Sequence, residues 1–268
     1  MRIDCSAKHH LVNVESDETK IFRLIEIHHL FEMFENKQLV LVSPKLWDDP
    51  YEDFLNHCYG FDPQKPNTRI SYHGYAELLF GQCWTLNEDK DSTWRIYSPN
   101  KTKVKIQTTI KKLHSSVSER KEEMFISYIG KVAYHSESEI KENISTEIKN
   151  DKFHFAKIVP NFYFKKRDTF EDEKEIRLMV RLYKEVKCSN ALFQDPNNYD
   201  ICKLPFENAL EIIEDVVFDP RTPNSLVRAY TNHLVNTFNF QGGCKKSTIY
   251  DSPALKIEVK NKFFQPSF

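Results

Sequence analysis

The stretch from Phe162 to Leu182 constrains the fold most, because its second half combines the period of a strand with the charge pattern of a site. On the two-residue repeat of an extended chain, Glu173, Glu175 and Arg177 point to one side, while Lys174, Ile176, Leu178 and Val180 point to the other. The turn-rich residues 165–168 come just before, which sets the row of charges at a strand entrance, where loops and clefts lie. A like-charge pair at such a place is either neutralised by Arg177 as an ion ladder or tuned for chemistry, since neighbouring carboxylates push each other's ionisation apart. Spacing alone favours the ion ladder, since structural ion pairs are common.

The rest of the composition narrows the classes. At 268 residues, 40% hydrophobic and 13% aromatic, the chain can bury a real core as one large or two small domains. A net charge of -1 supplies no global field towards nucleic acid or membrane, so any such partner must be met by a local patch. The first residues lack a signal-like apolar segment, and no run approaches the roughly 18 apolar residues of a membrane span. The expectation is a cytoplasmic protein with no membrane contact. Cys5, Cys58, Cys83, Cys188, Cys202 and Cys244 stand singly, without the paired spacing of a zinc site, and read as small buried hydrophobes; no metal is expected. The adjacent pairs His9-His10 and His28-His29 diverge on any regular backbone and do not chelate by themselves. None of the six glycines sits in a dinucleotide-binding turn or a P-loop.

Along the chain, residues 1–19 are polar and aperiodic and read as a capping segment. A strand is expected over 20–27, a helix carrying Leu30, Phe31 and Phe34, and a buried strand over 39–43 that Pro44 ends. Asp49 before Pro50 is a cap signal for a helix over 51–59, followed by a loop over 60–69 and a helix over 74–80. Strands are expected over 81–86, 103–107 and 128–134, with a helix over 108–123. Ser136 and Glu139 have capping-box spacing at the head of a charged helix or lid over 136–150. Residues 195–200 read as a loop, 209–218 and 246–250 as strands, and 223–238 as an amphipathic helix. Short strands interrupted by single helices, with no repeat or linker, give the α+β class. The expected architecture is one domain over 20–251, with a mixed, mostly antiparallel split sheet, flanking helices and a tail over 252–268.

Four separated pieces then fall into a known order. The chain resembles an uncharacterised bacterial domain-of-unknown-function family with a Phe-Asn-Asp-Pro-Phe-Glu signature, which reads here Leu46-Trp47-Asp48-Asp49-Pro50-Tyr51-Glu52. Its Cys-Phe-Ser strand is matched by Cys83-Trp84-Thr85, and its Met-Trp-x-x-Tyr element by Thr93-Trp94-Arg95-Ile96-Tyr97. Its Trp-x-x-Glu-x-Glu-x-Arg strand is matched by Phe170, Glu173, Glu175 and Arg177. The chain departs from the pattern in lacking the family glycine after Tyr97 and in several aromatic identities.

The layout further resembles the ADP-ribosyltransferases, and that resemblance implies a split sheet gripping NAD as substrate. By position it implies cofactor contacts from Arg23 and Ser43, a catalytic Glu175, and Glu173 as the first acid of the Glu-x-Glu pair, orienting or deprotonating the acceptor. Tyr51, Trp84 and Trp94 would stack on the flat rings of NAD, and Arg95 or Arg23 would fork onto its pyrophosphate. The implied role is modification of a macromolecule, nucleic acid or protein, by a bacterial toxin or anti-phage defence effector with a cognate antitoxin or inhibitor. Each residue also has a plain reading: the tryptophans as core, Asp48 and Asp49 as caps, Arg23 as an exposed strand residue. Two other functions fit the residue types. One is a noncatalytic recognition module of a defence or regulatory system, using the Trp47 to Glu52 surface. The other is a metal-dependent phosphodiester enzyme using Asp48, Asp49, Glu173 and Glu175.

Overall fold

The computed structural model describes residues 9–57, 59–62, 64–71, 76–118, 125–150, 162–183, 193–195 and 198–258. In chain order the strands are β1 (His9–Val12), β2 (Lys20–Glu26), β3 (Gln38–Val42), β4 (Tyr59–Asp62), β5 (Lys65–Ser71), β6 (Leu79–Thr85), β7 (Lys103–Thr109) and β8 (Phe125–Lys131). They continue with β9 (Ala133–His135), β10 (Lys165–Arg167), β11 (Glu175–Leu182), β12 (Phe193–Asp195), β13 (Asn198–Pro205), β14 (Asp215–Phe218) and β15 (Gly243–Lys246). The longer helices are Ile27–Asn36, Asp91–Tyr97, Ile110–Ser118, Glu137–Asn150 and Asn224–Phe238.

Among the described residues one large sheet runs β1-β8-β11-β6-β2-β7-β14-β15, with β3 pairing β6 and β13, and β13 pairing β12. The β1·β8 and β14·β15 pairs are parallel and the other pairs of this sheet antiparallel, so the α+β, mostly antiparallel class holds. The sheet forks at β6. One edge of β6 is paired along its length by β11, from Glu175 opposite Thr85 to Arg181 opposite Leu79. The other edge is therefore shared: Thr85 takes Phe22 of β2, and Gly81 takes Val42 of β3. Between these two pairings β2 and β3 separate, leaving Gln82, Cys83 and Trp84 at the crotch.

Strand β11 lies in the middle with both faces covered. Ile176, Leu178 and Val180 enter the main core with Ile21, Trp84, Ile106 and Leu30. Arg177 and Met179 alternate to the other face, where Met179 joins a smaller core of Val12, Phe54, Tyr128, Tyr163 and Phe164. Each apolar side chain so buried contributes about 1.5–3 kcal/mol, which fixes the register, because a one-residue slip would drive Arg177 into the main core.

Several local expectations are corrected. Glu173 is not on the strand: it ends a 3-10 helix over Asp168–Glu173, and Lys174 follows with φ 44°, a left-handed kink that starts β11 at Glu175. The expected turn at 165–168 is largely β10, paired parallel with β9. Residues 60–62 and 65–69 lie in the β4·β5 ribbon instead of a loop, and His9–Val12 extends the sheet beside β8. Residues 209–218 split into a turn of helix, Ala209–Ile212, and β14. The helix expected over 51–59 is a 3-10 turn, Pro50–Asp53, leading into one helical turn, Phe54–His57. Leu79 and Phe80, assigned to a helix, begin β6; Asp195 ends β12 and residues 198–200 begin β13, and the last strand among the described residues is β15, ahead of 246–250. The helix over 108–123 starts at Ile110 and is described to Ser118. The capping box is present: Glu139 accepts from the Ser136 N–H at 2.8 Å, and the Glu139 N–H donates to Ser136 Oγ at 3.4 Å. Asp49 caps as expected, accepting from the Tyr51 N–H at 3.0 Å. The Phe-rich end of the tail lies outside the described residues.

Candidate active site

Arg177 is the hub. It is fully buried, donates from Nε to Glu175 Oε1 at 2.8 Å and from Nη2 to Glu175 Oε2 at 2.7 Å, and its Nη2 also hydrogen-bonds Glu52. Its Nη1 donates to the Tyr163 carbonyl at 2.8 Å, and its guanidinium lies 4.3 Å from the centroid of the Trp47 ring. Trp47 reaches this position because Gly81 has no side chain: a Cβ there would sit 2.6 Å from the Met179 sulfur and 2.7 Å from the indole.

A second cation closes the group. Lys166, on β10, sets its Nζ 2.6 Å from Glu173, 3.3 Å from Glu175 and 3.7 Å from Glu52. Three carboxylates thus share two cations. Burial alone would raise the Glu175 carboxyl, but Arg177 and then Lys166 overcome it and hold Glu175 down to about 2, so it is ionised at neutral pH. Glu52 goes the other way: burial pushes it up by more than Arg177 pulls it down. Burial would also lower Lys166, yet Glu175, Glu52 and Glu173 raise it. Two tyrosines border the group. Tyr134 Oη accepts from the Glu175 N–H at 2.8 Å, and the Tyr97 hydroxyl donates to Glu173 Oε1 at 2.8 Å.

At the fork, the half-buried Cys83 thiol hydrogen-bonds Glu175, and burial first, then the charge of Glu175, raises it. The same thiol is the titratable neighbour that acts on Arg23. Arg23 is part-buried on β2, and desolvation lowers it to about 10. Among the described residues no carboxylate pairs with it. Ser43 is buried at the end of β3, one residue past the pairing with Gly81, and its N–H donates to the Asp200 carbonyl at 2.8 Å.

Other expected contacts go elsewhere. Trp84 is core, 3% exposed, its Nε1 donating to Gln82 Oε1 at 2.9 Å; the alternation that turns Cys83 and Thr85 towards Glu175 turns Trp84 away. Trp94 is 1% exposed and donates to Asp89 at 2.7 Å, with the buried Lys105 ammonium 5.5 Å from its ring. Arg95 is a surface residue paired with Asp91 at 2.8 Å and touching Tyr250. The Tyr51 ring is faced by Arg167 at 4.7 Å and Lys141 at 5.8 Å, beside the network. Asp49 is bound by Arg167 at 2.9 Å, and among the described residues no group of three His, Cys, Asp or Glu side chains could hold a metal. The sequence reading did not place Lys166, Glu52, Tyr97, Tyr134 or Cys83 in the site. Lys166 had one local sign, its position in a basic run just ahead of an acidic one.

No helix among the described residues is long and apolar enough to cross a membrane. No curated protein matches the chain. Among solved structures, the chain is similar to Thermus sp. 2.9 DarT in complex with NAD+, at a TM-score of 0.38 and 8% identity over 87% of this chain and 96% of that one. It is likewise similar to Thermus sp. 2.9 DarT in complex with ADP-ribosylated ssDNA, at a TM-score of 0.38 and 10% identity over 88% of this chain and 96% of that one. Residues 93–178, which run from the Asp91–Tyr97 helix to Leu178 of β11 and so include Trp94, Tyr97, Glu173, Glu175 and Arg177, match the model of a family described as protein of unknown function, DUF2971.

Proposed function

We propose that the protein is a cytoplasmic, NAD-dependent ADP-ribosyltransferase-like enzyme acting on a nucleic acid or protein. The observation that carries this reading is a part-buried Arg23, with no carboxylate partner among the described residues, and an ionised Glu175, both within electrostatic reach of the Cys83 thiol at the fork of the sheet. A desolvated guanidinium without an anion among the described residues is completed by one from a ligand, and Arg23 suits the pyrophosphate of NAD. Ser43, on the other arm of the fork, supports the nicotinamide side. As the bond from ribose C1′ to the nicotinamide nitrogen breaks, its electron pair leaves with nicotinamide and positive charge grows on the ribose. An ionised Glu175 stabilises that state more than the ground state. The acceptor oxygen or nitrogen then bonds C1′ and gives its proton to Glu173.

Purified protein incubated with NAD and either single-stranded DNA or a protein mixture is expected to release nicotinamide and label one acceptor class. Arg23→Gln should raise KM for NAD by about ten-fold, the order of one lost charge-assisted contact. Glu175→Gln, checked for folding by its melting curve, should abolish release; full activity in that variant overturns the assignment. In the toxin or defence role that the resemblance implies, expression arrests growth and Glu175→Gln lifts the arrest.

One observation favours a noncatalytic reading: both Glu175 oxygens are engaged by Arg177, and the residue is only 2% exposed. On that reading the network is a structural clamp, NAD is untouched, and Glu175→Gln changes stability alone. The recognition-surface version is weakened because Trp47, Asp49 and Glu52 are all turned inward onto Arg177 or Arg167.

A further inference from the structure

Glu173 differs from the other two acids of the network in being reachable: its side chain is 27% exposed, against 3% for Glu175 and 5% for Glu52. Its main chain is firmly held. Thr85 Oγ1 donates to the Glu173 carbonyl at 2.5 Å, Asn87 Nδ2 to the Asp172 carbonyl at 2.7 Å, and the Leu86 N–H to the Lys174 carbonyl at 3.0 Å. What remains to be set is the direction of the carboxylate. Among the described residues each oxygen has one donor: Lys166 on Oε2 at 2.6 Å and the Tyr97 hydroxyl on Oε1 at 2.8 Å.

Lys166 is shared with Glu52 and Glu175 and draws Glu173 inward. Tyr97, itself 40% exposed, holds the other oxygen at the surface. The phenol is on a well-anchored element. It is the last residue of the Asp91–Tyr97 helix, whose Trp94 is buried and bonded to Asp89. Arg221, paired with the fully buried Asp219, donates to the carbonyls of Trp94 at 3.0 Å and Ser98 at 2.7 Å.

We infer that Tyr97 is a positioning residue that aims Glu173 at the incoming acceptor, so that it governs how much ADP-ribose reaches a macromolecule and how much reaches water. The inference rests on the ADP-ribosyl-transfer reading above. With Tyr97 in place, the acceptor's O–H or N–H meets a fixed carboxylate oxygen, which takes the proton as the new bond to C1′ forms. Without it, Oε1 loses its donor and the carboxylate turns towards Lys166. Water, small and abundant, depends less on that aim.

The experiment measures nicotinamide released and ADP-ribose attached to acceptor in the same reaction, for wild type, Tyr97→Phe, Glu173→Gln and the double variant, with melting curves alongside. Tyr97→Phe is expected to lower the fraction transferred by about ten-fold, an order typical of small losses in alignment. Glu173→Gln should do at least as much, and the double variant no more than Glu173→Gln alone, because the two act as a unit. Transfer and hydrolysis falling in the same proportion would mark Tyr97 as merely structural and overturn the inference, as would an unchanged fraction or additive effects in the double variant. A wild-type protein that releases no nicotinamide would instead bring down the enzyme reading, and this inference with it.

Discussion

Removing the hub tests the electrostatics of the site most severely. Arg177→Met keeps most of the side-chain volume but deletes the guanidinium that binds Glu175 through two hydrogen bonds and Glu52 through a third. Taking one partner from a buried ion group costs about 3–5 kcal/mol, because the remaining charges stay desolvated and uncompensated. A separate route gives the same order. The fall of Glu175 from 4.5 to about 2 corresponds to ~3 kcal/mol at about 1.4 kcal/mol per tenfold change in acidity. The sign follows from the direction: a depressed carboxyl stabilises the fold above its unfolded value of 4.5 and loses that contribution as pH falls towards 2. Glu52, raised by burial, opposes part of this at neutral pH. In Arg177→Met both acids are raised, so lowering the pH stabilises the variant where it weakens the wild type. Urea unfolding followed by tryptophan fluorescence at pH about 7 and about 4 should show a gap of about 3 kcal/mol or more that narrows in acid. Adding Glu175→Gln to Arg177→Met should recover about 1–2 kcal/mol by removing one uncompensated charge. A neutral-pH gap under about 1 kcal/mol, or one that does not narrow, refutes the reasoning.

Further outcomes follow from single positions. Lys174→Gly should raise the melting temperature, since glycine adopts the φ of 44° without the roughly 1 kcal/mol cost borne by a residue with a Cβ; a drop would mean that the lysine side chain itself supports the turn. Gly81→Ala should destabilise by about 1–3 kcal/mol in denaturant titration, because its methyl group would overlap Met179 and Trp47. Arg95→Ala should leave NAD affinity, measured by calorimetry, unchanged, because that guanidinium is engaged with Asp91 and Tyr250 at the surface, away from the fork.

Local sequence was informative wherever the deciding interaction is a few residues long. The alternation Ile176, Leu178, Val180 marked β11, the cap at Asp49 and the Ser136/Glu139 box sit where their spacing implies, and Glu173, Glu175 and Arg177 were visible as a charged row. The same reasoning misplaced Glu173, because a left-handed residue at Lys174 interrupts the two-residue period without leaving a glycine to betray it. It also gave Trp84 to the cofactor and Cys83 to the core, although one step along β6 puts the indole in the core and the thiol at the fork.

Sequence by itself determined the strand that carries the charges, the apolar face that anchors it and the residue types available for chemistry. Which charges meet was decided only in three dimensions: Arg177 finds Glu52 from 125 residues away, Tyr97 reaches Glu173 across 76, and among the described residues Arg23 meets no carboxylate. The reason is physical. Periodicity reports the side of an element on which a residue stands, whereas the partner of a buried charge depends on the order of strands in the sheet and on how much water the surrounding packing removes.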